Sequence, residues 1–135
     1  MTIDQLYKKS EQIRHEVLEL CVKAQTGHLT SSLSVVEILN TLYYTGIMQH
    51  DPEDPDWADR DRHVYSKGQG SPALYTILAD LGYYDKSWLD KFAQEDAPFG
   101  VHLQKTVPGV ECTTGSLGHG IGIAAGLALA AKIDR

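Results

Sequence analysis

Two loop histidines, a lysine-glycine turn and a glycine-rich turn are the parts of this chain that could do chemistry. His28 follows Gly27, His102 follows Gly100-Val101, and Lys67-Gly68-Gln69-Gly70 lies between them in the sequence. Imidazole has the ordinary pKa nearest neutrality, so loop histidines suit the transfer of protons to and from hydroxyl groups. Further on, Gly115-Ser116-Leu117-Gly118-His119-Gly120 opens onto the run from Ile121 to Ala130. Closely spaced glycines let backbone N–H groups approach a ligand, and the helix start turns its positive end toward it. The guest expected there is an anion, most often a phosphate or diphosphate. Each feature also has a plainer reading: a loop histidine is commonly a surface residue, and Lys67 serves a carboxylate as readily as a phosphate.

The elements that must position these groups follow from periodicity and punctuation. Leu6, Ile13, Val17, Leu20, Cys21 and Ala24 recur at helical spacing, which predicts a helix from about Ile3 to Ala24 that Gly27 ends. Residues 27–32 read as a loop, after which Ser32 or Ser34 is expected to cap a second helix, with Glu37 completing a capping box. That helix carries Val35 to Tyr43 and stops near Gly46. Arg62 to Ser66 is the one stretch that reads as a strand, ending in Lys67-Gly68-Gln69-Gly70. Ser71 and Pro72 start a further helix that Gly82 closes, and Ser87 is expected to cap a short one reaching Phe92. An irregular stretch from Asp96 to Ser116 then leads to the final, alanine-rich helix.

Composition narrows the functional classes. The 135 residues carry 12 Lys+Arg against 18 Asp+Glu, a net charge of −6 with no basic stripe, which opposes binding to nucleic acid or to an anionic membrane. No apolar run is long and uncharged enough to span a bilayer, and Met1 to Gln5 has no leader-like pattern. The two cysteines, Cys21 and Cys112, lie far apart without metal-ligand spacing, so neither a metal knot nor a disulfide framework is expected. A single cytoplasmic domain, 1–135, is the expectation. Yet one strand followed by a glycine loop and helices is the opening of an α/β unit whose other strands are missing. Such a strand has unpaired backbone groups on both edges.

In these motifs the chain resembles the N-terminal, diphosphate-binding part of the transketolases. Thr26-Gly27-His28 with the run Ser32 to Leu39 is similar to that family's Ser-Gly-His loop and the helix after it. Asp59 to Gly68 with Pro72-Ala73-Leu74-Tyr75 looks like its strand and Lys-Gly-His turn. Val107 to Glu111, then Thr114 to Gly120 with the alanine-rich helix, looks like its cofactor loop. The resemblance implies an α/β fold class: the helix-rich N-terminal part of a thiamine diphosphate-binding fold with a doubly wound parallel sheet, incomplete in this chain. It also implies thiamine diphosphate with Mg2+ or Ca2+ as cofactors, and transfer of a two-carbon ketol unit between sugar phosphates. His28 and His102 match residues that contact the donor sugar and serve catalysis, His102 foremost. Gln69, Gly115, Ser116, Leu117, Gly118 and His119 match positions around the cofactor.

Departures from the family pattern accompany the match. Gln69 stands where the family usually has a histidine, and its amide can donate to a phosphate oxygen but cannot take up a proton. Val101-His102-Leu103 replaces Gly-His-Pro, and Leu29 to Ser32 replaces a glycine-containing turn. The Gly-Asp-Gly turn and the asparagine that hold the metal in the family are expected after Arg135, so no metal ligand is assigned here. The expectation is a homo- or hetero-oligomer completed by a C-terminal transketolase subunit, with the chain silent by itself. The alternatives are a non-catalytic interaction module on the same scaffold and a different phosphate-binding enzyme that uses the glycine turn.

Overall fold

In a computed structural model, which describes residues 1–134, the chain is helical. The first helix, α1 (Ile3–Ala24), begins with a reciprocal cap between Thr2 and Gln5. The Gln5 N–H donates to Thr2 Oγ1 and the Thr2 N–H donates to Gln5 Oε1. Its inward face is the expected stripe of Ile13, Val17, Leu20 and Cys21, together with Ser10. The helix stops at Gln25, whose backbone is left-handed (φ 52°), two residues before Gly27. The segment expected as a plain loop then contains a short helix, α2 (Leu29–Leu33).

The next helix, α3 (Val36–Tyr44), does not use the serine cap that the sequence pattern predicts. Val35 occupies the cap position without a side-chain hydrogen bond. The Ser32 and Ser34 hydroxyls donate backward to the carbonyls of His28 and Ser31, and Glu37 is drawn away to Arg14 on α1. A partner on a neighbouring helix thus outcompetes the local capping box. Similarly, the 3-10 turn Lys86–Lys91 is capped by Asp85, which accepts from the Ser87 N–H, and not by Ser87.

At the centre lies α4 (Ser71–Leu81), buried on every face from Ser71 to Ala79. Pro72 in its first turn and Gly82 after its last (φ 91°) bound it as expected. Leu74, Ile77 and Leu78 are sealed from solvent, worth about 1.5–3 kcal/mol each relative to exposure. α1 and α3 pack against α4, and Phe92, Phe99, Leu103 and Val107 from the chain after it join the same core.

The expected strand is absent: among the described residues no β-ladder forms. The segment before Lys67 runs without regular structure, and its backbone groups find other partners. The Asp61 N–H donates to the Gln49 carbonyl, and Thr114 Oγ1 donates to the Tyr65 carbonyl at 2.8 Å. Without a neighbouring strand the segment is tied down by loops instead.

The last helix, α5 (His119–Ile133), stands apart from this core. Only Gly120 is buried, while Ile121 and Ile133 are each 73% exposed and Leu129 is 59% exposed. Among the described residues no helix is long and apolar enough to cross a membrane.

Candidate functional site

The two loop histidines meet. The ring centroids of His28 and His102 are 5.0 Å apart, with their planes tilted by 51°. His28 sits between Gly27 and α2, in a turn that only glycine permits. Gly27 has φ 114°, and a side chain there would meet Cys21 Sγ at 2.9 Å. The His28 carbonyl accepts from both the N–H and the hydroxyl of Ser32, each at 3.0 Å, which ties His28 to α2.

His102 is held from the core. Ser71, the first residue of α4, donates its hydroxyl to the Val101 carbonyl at 2.7 Å. Tyr75, one turn on, donates its hydroxyl to the His102 carbonyl at 3.1 Å and accepts the Gln104 N–H at 2.9 Å. Burial pushes the Tyr75 phenol up to about 12, so it stays protonated and keeps its role as donor. Sequence reasoning did not single out Ser71 or Tyr75 for the site, because a serine and a tyrosine on an apolar helix carry no motif of their own.

Gln69 and Gly115 complete the group. Gln69 Nε2 donates to the Gly115 carbonyl at 2.8 Å, and a Cβ on Gly115 would lie 3.8 Å from the His102 ring. The bond to a carbonyl fixes which end of the amide is which, leaving Gln69 Oε1 pointing elsewhere. That oxygen is buried without a partner, as are His28 Nδ1 and the Tyr65 hydroxyl. Three orphaned polar atoms on segments that converge here mark a place where a polar ligand would restore the missing hydrogen bonds. Gly68 and Gly70 permit the convergence, since a side chain at Gly68 would strike the Thr114 carbonyl and one at Gly70 the Tyr65 hydroxyl.

The glycine turn differs from its expected form. The sequence pattern leaves its helix-mouth amides open to an anion, but the chain itself uses several of them. Gly120 N–H donates to Ser66 Oγ at 3.0 Å, Gly118 N–H is directed at the Ser66 carbonyl at 3.4 Å, and His119 N–H at the Ser116 carbonyl at 3.3 Å. Ser66 therefore acts as a cap for α5, and a Cβ on Gly120 would sit 2.6 Å from that of Ser66. Gly118 (φ 91°) shapes the turn, and no amide of Gly118 or His119 is open for a ligand. Gly115, Ser116 and Leu117 keep uncommitted amides among the described residues, and Ser116, Leu117, Gly118 and His119 are exposed.

Lys67 makes no ion pair with a carboxylate among the described residues. Its ammonium donates to the Ser31 carbonyl at 2.9 Å and to Ser34 Oγ at 2.8 Å. Cys112 is a free thiol whose pKa burial raises, assisted by nearby Glu111, so it is no thiolate at neutral pH. Among the described residues no group of three or more histidines, cysteines or carboxylates is gathered for a metal.

Comparison with known proteins agrees with this scaffold. Residues 7–134 match the family described as transketolase, thiamine diphosphate binding domain. The chain is 39% identical to an apulose-4-phosphate transketolase subunit of Actinobacillus succinogenes, over 98% of its own length and 48% of the relative's. It is 42% identical to the 6-deoxy-6-sulfo-D-fructose transketolase subunit SqwG of a Clostridium species, over 96% of its length and 47% of that protein. It thus spans about half the length of these curated relatives. Its fold superposes on transketolase from Campylobacter jejuni with a TM-score of 0.89 at 36% identity, covering 98% of this chain and 21% of that one. The helix-rich arrangement accordingly corresponds to part of a thiamine diphosphate-binding fold, and the chain belongs to the transketolase thiamine diphosphate-binding domain family.

Proposed function

We propose that this chain supplies the diphosphate-side part of a ketol-transfer site that further protein completes. The reaction is movement of a two-carbon ketol unit from a ketose or ketose-phosphate donor to an aldose or aldose-phosphate acceptor. Thiamine diphosphate, when bound, supplies the nucleophilic carbon and the electron sink for that chemistry. Everything else asked of this chain is binding, orientation and proton handling. The observation that carries the reading is the His28–His102 pair at 5.0 Å beside Gly115, on a scaffold of this family.

In this reading the imidazoles of His28 and His102 hydrogen-bond donor-sugar hydroxyls and hold or release a proton there, His102 being the main catalytic group. The orphaned His28 Nδ1 and Gln69 Oε1 fit a polar guest. Gly115, Ser116 and Leu117 border the cofactor through their open amides and the Leu117 side chain. Gly118 and His119 contribute through turn shape and the exposed imidazole, and Gln69 lies beside the diphosphate.

The cation, Mg2+ or Ca2+, would take its ligands from protein outside residues 1–134. The partner we infer is a C-terminal transketolase subunit, or else a second copy bringing the equivalent region. Two relatives carry the word subunit in their names, and the bare apolar surface of α5 needs a cover. Free Cys21 and Cys112 suit a reducing, cytoplasmic compartment.

The test is reconstitution. Complete assembly, thiamine diphosphate and Mg2+ are expected to give ketol transfer from a ketose donor, and His102→Ala is expected to abolish it. An assembly that binds the cofactor yet transfers nothing from any ketose would overturn the reading in favour of a non-catalytic scaffold, and an active assembly indifferent to His102→Ala would overturn the role given to His102.

A further inference from the structure

We propose that Lys67 is a positioning residue whose ammonium clamps α2 to the Lys67-Gly68 turn and thereby holds His28 against His102. The inference rests on the reading of those two histidines as the working pair.

A lysine beside a glycine turn invites the reading of a phosphate ligand, but its hydrogen bonds point the other way. Lys67 Nζ reaches across to the end of α2 and donates to the Ser31 carbonyl at 2.9 Å and to Ser34 Oγ at 2.8 Å. Ser34 Oγ in turn donates to the same Ser31 carbonyl at 3.0 Å, so ammonium, hydroxyl and carbonyl form a closed triangle. From there the path to His28 is short. Ser32, next to Ser31, bonds the His28 carbonyl through both its amide and its hydroxyl.

α2 has five residues and no side-chain cap, and such a helix does not hold itself in place. Its N-terminal side is fixed by the Gly27 turn against Cys21 and Phe92, its C-terminal side by Lys67. The opposite histidine has its own support from Ser71 and Tyr75 on the rigid α4. Leu29 and Leu33 pack α2 on the core, and Lys67 adds the polar tie that sets the His28 half in register with the His102 half. A point charge with several donors suits the task, because it serves a carbonyl and a hydroxyl at once.

The experiment uses the complete assembly, labelled with 13C at histidine Cε1, with Lys67→Met and Ser34→Ala beside the unaltered protein. Three quantities are read: the cross-relaxation between the His28 and His102 rings, kcat/KM for ketol transfer, and Kd for thiamine diphosphate with Mg2+. Both variants are expected to lose the ring-to-ring signal and to lower kcat/KM, by roughly 100-fold for Lys67→Met, the scale of a misplacement near 1 Å. Helicity and cofactor Kd are expected to stay within about twofold. An intact ring signal with unchanged kcat/KM overturns the proposal, and so does an intact ring signal with weakened cofactor binding, which makes Lys67 a diphosphate ligand instead. Should Lys67→Met fail to fold, the exposed Ser34→Ala decides by the same readouts. If the unaltered assembly binds no cofactor or is indifferent to His28→Ala, the reading of the two histidines as the working pair has failed, a result separable from a Lys67 variant with no effect in an active enzyme.

Discussion

Tyr75 donates its hydroxyl to the carbonyl of His102 from the middle of the buried central helix, so the core and the candidate site share one hydrogen bond. The same oxygen accepts the Gln104 N–H, which makes the phenol the anchor of the whole turn. Tyr75→Phe keeps the ring and removes the anchor, leaving a half-buried amide and carbonyl without this partner. The expected cost is about 1–3 kcal/mol for each group left unsatisfied. Denaturant unfolding should show this as a lowered midpoint at unchanged slope, and kcat/KM should fall with it. A variant as stable and active as the parent would show that the turn does not depend on Tyr75.

Truncating the histidines tests the chemistry directly. His102→Ala is expected to reduce ketol transfer by roughly 100- to 10,000-fold, the usual range for a lost acid–base group. His28→Ala should lower it less. Initial rates at saturating thiamine diphosphate and Mg2+ check both, and equal losses would argue that neither imidazole has the leading role.

Close backbone contact at Gly68 gives a second structural test. A methyl group there meets the Thr114 carbonyl, which is main chain and has little room to yield. Gly68→Ala is expected to destabilise the fold by about 1–3 kcal/mol, the usual range for overpacking, and to displace the turn carrying Gly115. Gly122→Ala, inside α5 where a side chain meets open space, should be neutral or stabilise by up to about 1 kcal/mol and serves as the control. Thermal unfolding of the two variants in parallel separates the outcomes.

His63 makes stability depend on pH. Burial lowers its pKa below the ordinary histidine value, and its Nδ1 lies 3.0 Å from the Tyr43 hydroxyl. The folded state therefore binds the proton less readily than the unfolded chain, whose histidines titrate near about 6.5. Stability is complete above about pH 6.5 and falls as pH drops below that value, until the folded-state pKa is reached. Unfolding followed from neutral to mildly acidic pH should show the decline, and His63→Gln should flatten it. An equal slope in the variant would place the titration elsewhere.

Most helices were legible because their signals are local. The stripe from Leu6 to Ala24 and the bracket of Pro72 and Gly82 depend only on nearby residues, and both elements stand where the pattern puts them. Long-range competition governed the rest. Glu37 leaves its expected capping box for Arg14, and Ser66 takes a helix-mouth amide that the glycine pattern leaves open. The strand reading of Arg62 to Ser66 failed because a ladder requires a neighbour, which β-rich composition cannot supply. In the site, the histidines were visible through their type and loop position. Tyr75, Ser71 and the clamp of Lys67 were invisible, because their meaning lies in a contact with a residue distant in sequence.

The isolation of α5 has a thermodynamic consequence. Leucine, isoleucine and alanine occur around most of its circumference, and the glycine-rich turn proposed to border the cofactor sits at its first step. Under the proposed function, a protein surface that shields those side chains from water would also set the geometry of Gly115 to His119. Occupancy by the small molecule and recruitment of that surface are then linked equilibria, each tightening the other by the same factor. Dilution should therefore strip coenzyme from the complex, and saturating coenzyme should hold the complex together.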